Sequence, residues 1–156
     1  MYPGKTASFK DLKYGVTIAV PNDTTNEARA LQLLASLGLI EIDENAGLEA
    51  TPANITSNPK NLEILEVEAA QVPRTLPDVD LGVVNGNYAI AAGINETVLE
   101  TEANDSEGAQ QYANIIAVKA GSENSDKIKA LIEALETDDG KAFMNEKYGV
   151  TVVPVF

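Results

Sequence analysis

The spacing of apolar residues divides the chain into alternating strands and helices. Val16 to Val20 (VTIAV) is a short β-branched run that Pro21-Asn22-Asp23 stops, which predicts a buried strand followed by a turn. Thr24 and Glu27 then have capping-box spacing, and Ala28, Leu31, Leu34, Ala35 and Leu37 follow at helical intervals until Gly38. The unit is strand, loop, helix, with the helix starting at Asp23 or Thr24. Residues 39–59 read as irregular, with a short helix from Thr51. Leu62 to Val67 alternates like a half-exposed strand, and Ala69 to Leu76 predicts a helix that Pro73 limits to a turn or two. Leu81 to Val84 predicts a buried strand, Asn85-Gly86-Asn87 follows it, and Tyr88 to Ala92 reads as a helix capped by Gly93.

Residues 95–111 are polar and lack apolar periodicity, as in a long loop. Ile115 to Val118 is expected to be a buried strand. Ile128, Leu131, Ile132 and Leu135 place one apolar stripe on a helix over 125–136. A short helix over 139–147 and a closing strand over 150–153 complete the pattern. This alternation predicts an α/β fold with a largely parallel sheet. In such sheets ligands gather beyond the carboxyl ends of the strands.

Composition narrows the chemistry. The 156 residues include 24 acids against 11 bases, for a net charge of −13. A surface so acidic repels phosphate backbones, so nucleic acid is not an expected partner. The chain has no Cys and no His, which removes disulfides, thiolate nucleophiles and the usual serine triad. No cofactor or metal is expected. The acids between Glu96 and Glu107 do not have the spacing of an EF-hand loop, and the sequons at Asn54, Asn95 and Asn104 are short enough to recur by chance.

Three positions stand out as ligand contacts. Arg29 lies in the first turns of the helix after Val16 to Val20, where a guanidinium fork and free N–H groups together suit a carboxylate. Its helix neighbours Thr25, Asn26, Gln32 and Leu33 offer it no local ion pair. Asn85 ends the strand over 81–84 and carries both donors and an acceptor, so it can serve either end of a zwitterion or else bond its own turn. Asn114, just before the expected strand over 115–118, has the same two readings.

Several runs taken together resemble one family. These are Val16 to Leu34 (VTIAVPNDTTNEARALQLL), Asn58 to Leu62, Val67 to Leu81, Val83 to Gly93 (VVNGNYAIAAG) and Asn114 to Val118 (NIIAV). In this order, from Tyr2 to Phe156, they are similar to the NlpA lipoproteins, methionine-binding receptors of ABC importers. The resemblance implies a type II periplasmic-binding-protein fold whose two lobes close on the ligand. It also implies that Arg29, in the PND-xx-N-xx-R run, holds the ligand carboxylate, while Asn85 and Asn114 contact its polar groups. Tyr88 and Tyr112 are further candidates for the cleft, with core packing as the alternative.

The resemblance covers the later part of such receptors. Residues 5–110 are expected to form the second, ligand-binding lobe, and 111–156 the crossover and the C-terminal part of the first lobe. A signal peptide, a lipidated cysteine and most of the first lobe are expected ahead of Tyr2 in the full-length, extracytoplasmic protein. Gly108 to Ala113 (GAQQYA) departs from the Ser-Pro-Tyr-Val approach of many relatives. The expected function is capture of methionine or a close analogue for delivery to a membrane permease, without catalysis. Its rivals are a binding-incompetent fragment of the receptor and an enzyme on the same fold. Apolar surface left by an incomplete lobe makes self-association a further expectation.

Overall fold

The structure is a computed structural model that describes residues 1–10 and 12–156. The strands and α-helices run β1 (Tyr2–Pro3), β2 (Thr17–Pro21), α1 (Thr24–Ser36), β3 (Glu41–Ile42), β4 (Ile55–Ser57), β5 (Glu63–Val67), α2 (Val72–Thr75), β6 (Leu81–Gly82), α3 (Gly86–Ala92), α4 (Glu107–Gln111), α5 (Asp126–Glu136) and α6 (Asp138–Tyr148). The chain divides into two compact units, Met1–Glu102 and Ala103–Phe156.

The first unit is built on a four-stranded sheet in the order β1-β6-β2-β5. Strand β2 is central and parallel to both neighbours, pairing Ile18 with Ile64 on β5 and with Leu81 on β6. Only β1 runs antiparallel, at the edge beside β6. The unbroken apolar run in β2 follows from burial on both faces. Ile18 and Val20 join the core cluster that holds Ala28, Leu31 and Leu34 of α1. Between them Ala19 faces the other way, into a second cluster with Val72, Leu76, Val79 and Ala89. Strand β5 lies at the opposite edge, and Glu63, Leu65 and Glu66 are exposed there.

Helix α1 starts where expected, but its cap differs from the expected capping box. Asp23 is the N-cap, and its side chain accepts from the Asn26 backbone N–H. The Asp23 carboxylate reaches a free N–H of the first turn, the ordinary reward for an acid at this position. Pro73 falls in the first turn of α2, which spans four residues, and Gly93 closes α3 in the left-handed region at φ 69°. Residues 39–59 are less irregular than expected, because β3 and β4 form a short antiparallel pair.

The second unit contains α4, α5 and α6. Residues 115–118 and 150–153, expected to be strands, form none: the first segment lacks regular structure and the second begins within a 3-10 turn over Gly149–Thr151. A strand requires a neighbour for its backbone ladder, and the described residues of this unit offer none. Apolar composition alone therefore misled at both places. Helices α5 and α6 match the expected 125–136 and 139–147 to within a residue.

Candidate ligand-binding site

Because β2 and β6 are parallel, both deliver their following loops to the same end of the sheet. The loop after β2 carries Asp23 and opens α1; the loop after β6 carries Asn85 and opens α3. Polar side chains thus collect beyond the carboxyl ends of adjacent strands, where α/β sheets hold their ligands. Asn85 Nδ2 donates to Asn26 Oδ1 at 2.7 Å, which joins the two loops. Asn26 in turn donates its own Nδ2 to both oxygens of Asp23, at 2.9 and 3.1 Å.

Asn85 is the N-cap of α3, yet its side chain makes no capping bond to that helix. The turn-asparagine alternative is therefore not how this side chain is used. Its Oδ1 is buried and has no hydrogen-bond partner among the described residues. An acceptor left in that state costs about 1–3 kcal/mol, so the position is suited to a donor from a ligand.

Arg29 stands three residues after Asn26 on α1, on the same helix face. The structure supplies what its helix neighbours could not: Glu102, 73 residues away in sequence, accepts from Nε at 3.0 Å and also from Nη2. Both side chains are about a quarter exposed, so the pair is shielded without being dry. One carboxylate oxygen engages two of the five guanidinium N–H groups, so donors remain for a second carboxylate. Glu102 is a residue that sequence reasoning missed; its place in an acidic stretch gave no signal that distinguished it from the other acids.

Glu27, next to Asn26, was also overlooked. It is buried at 4% exposure, and its Oε1 has no hydrogen-bond partner among the described residues. Burial first, then a hydrogen bond to Glu66 and the negative charges of Glu66 and Asp23, push its carboxyl up to about 7. The capping-box reading had assigned this acid to the helix end, whereas it lies against a second carboxyl group from β5.

Asn85 is thus held against α1 at Asn26, one helical turn before Arg29. Tyr88, on α3, is half-buried and packs against the second core cluster. Asn114 and Tyr112 belong to the second unit, where both are exposed. A shallow surface lined by Lys129, Ile132, Glu133, Glu136 and Thr137 also lies in that unit; its mixed charges on an open helix face are those of a solvated surface. Among the described residues no cluster of acids could hold a metal ion, and no helix is long and apolar enough to cross a membrane.

Comparison with known proteins agrees with this architecture. The chain is 40% identical over 147 residues to outer membrane lipoprotein 3 of Mannheimia haemolytica, covering 94% of this chain and 55% of that one. It is 36% identical over 140 residues to the D-methionine-binding lipoprotein MetQ of Escherichia coli K12, covering 88% of this chain and 51% of that one. The solved structure of a nutrient-binding protein from Burkholderia cenocepacia bound to methionine superposes with a TM-score of 0.85 at 40% identity, over 99% of this chain and 65% of that one. The chain spans about half the length of the curated relatives it matches. The shared fold is the α/β fold of periplasmic substrate-binding proteins. The NlpA lipoprotein model matches residues 1–156, and the chain belongs to that family.

Proposed function

We propose that this chain is part of the substrate-binding component of an ABC importer, which encloses methionine or a close analogue and delivers it to a membrane permease. The observation that carries this reading is the pairing of a shielded guanidinium, Arg29, with a buried unmet acceptor, Asn85 Oδ1, at the N-terminal end of one helix. Those two groups are complementary to the carboxylate and ammonium of an amino acid. The methionine held by the Burkholderia relative supports the choice of side chain. Asn114 is a third polar contact in this reading, and Tyr112 and Tyr88 are cleft candidates. Residues 5–110 form the ligand-binding lobe, and 111–156 the crossover and the returning part of the first lobe. The full-length protein is extracytoplasmic and lipid-anchored.

Binding is the whole of the chemistry: the ligand's charges are paired and its apolar surface buried, and no bond is made or broken. Calorimetric titration with L- and D-methionine tests the reading. Saturable heat is expected, and Arg29→Ala should weaken binding by about a hundredfold, because it strands a desolvated carboxylate. Affinity within a few-fold of wild type would remove Arg29 from the site. No heat from either enantiomer would favour the alternative, a binding-incompetent fragment of the receptor. Product formation from the amino acid would overturn the non-enzymatic reading.

A further inference from the structure

We propose that Asn26, backed by Asp23, is a positioning residue that sets the polarity of the Asn85 carboxamide, so that its oxygen rather than its NH2 meets the ligand and takes the ammonium group. This rests on the reading of Asn85 as a ligand residue.

The orientation is forced from one end of a short relay. At neutral pH the Asp23 carboxylate can only accept hydrogen bonds. It already takes the backbone N–H of Asn26 at 3.1 Å, and both of its oxygens lie within reach of Asn26 Nδ2. A reversed Asn26 amide would set oxygen against oxygen, so Nδ2 must face Asp23. Asn26 Oδ1 is then committed to the other side, where it meets Asn85 at 2.7 Å. The group presented by Asn85 must therefore be Nδ2, since two carbonyl oxygens would repel. One carboxylate thus dictates the direction of two amides.

The consequence falls on Asn85 Oδ1. An asparagine can offer either polarity to a zwitterion, and this one has turned its NH2 toward Asn26. It has not spent itself on helix capping either. What remains is a buried acceptor without a partner among the described residues. The negative charge of Asp23, transmitted through two polarised amides, strengthens that oxygen as an acceptor and disfavours an anion beside it. Arg29, one helical turn beyond Asn26, attracts the opposite end of the ligand. The relay therefore fixes which way round an amino acid lies between α1 and α3.

Titration of the chain with two probes tests this: L-methionine, and 4-(methylthio)butanoate, which keeps the carboxylate and thioether but lacks the ammonium group. Asn26→Ala should weaken L-methionine about tenfold and the analogue by less than about threefold. Asn26→Asp combined with Asp23→Asn, which retains an oxygen for Asn85 Nδ2 and lets the amide of residue 23 face the new carboxylate, should keep L-methionine affinity within about threefold of wild type. Asn85→Ala should likewise discriminate between the probes. If Asn85→Ala does so and Asn26→Ala affects both probes equally or neither, the relay is overturned and the site stands. If Asn85→Ala leaves L-methionine unchanged, the reading of Asn85 itself fails and takes the relay with it.

Discussion

Glu27 and Arg29 are two residues apart on α1 and are ionisable groups in opposite circumstances. Arg29 has an acid to pair with, whereas Glu27 is buried against another acid, Glu66. The folded state holds the Glu27 proton up to about pH 7, while an ordinary glutamate releases it near 4.5. Between those values the folded chain binds more protons than the unfolded one, so stability falls as pH rises. The contribution is fully present below about pH 4.5 and is lost by about pH 7. Glu27→Gln should therefore raise the melting temperature at about pH 8 and flatten the change between about pH 5 and 8, as followed by circular dichroism. An unaltered pH slope in that variant would show that Glu27 titrates normally. None of this was legible in the sequence, because Glu27 sits at a position where a helix cap explains an acid equally well. The places of Arg29 in the first turns of a helix and of Asn85 between a strand and a helix were legible, since strand ends and helix starts are readable. The hydrogen bond that Asn26 accepts was not legible, because its partner Asn85 lies 59 residues away.

At the scale of elements, strong periodicity succeeded and short or unpartnered segments failed. Strand β2 and helix α1 were readable because one is buried on both faces and the other on a single stripe, and each burial pattern writes its own period. Strands β1 and β3, two residues each, are too short to write any period. Asp23 shows how an element and a site depend on one residue. As the N-cap of α1 it stabilises the helix, and Asp23→Ala should cost about 1 kcal/mol in urea unfolding. Unchanged stability would show that the cap is dispensable. Gly4 presents a different constraint: a Cβ there would lie 2.3 Å from the Val79 carbonyl oxygen, where β1 passes the turn before β6. Gly4→Ala should destabilise the chain by about 1–3 kcal/mol through backbone displacement, and a wild-type unfolding midpoint would contradict that packing.

Across the whole chain, the two units differ in what they bury. The first builds two buried apolar clusters around a sheet, with Tyr14, Leu65 and Ile90 left exposed. In the second, Ile115 is 85% exposed, Val150 62% and Phe143 57%, and Leu131, Ile132 and Leu135 from the apolar stripe of α5 are also exposed. Soluble proteins seldom leave so many large apolar groups in water, and such surface is normally covered by another part of the protein or by a partner. Studied alone, the 156-residue chain should cover part of that surface with a second copy. Light scattering is expected to give a mass above 16.5 kDa that falls on dilution. Its net charge of −13 opposes association, so raising the salt should increase the mass, because screening weakens repulsion without removing the apolar attraction. Replacing Ile115 and Phe143 by Ser should lower it. A monodisperse 16.5 kDa species at every concentration and salt would mean that these apolar groups are tolerated in water, and that the second unit needs no cover to remain soluble.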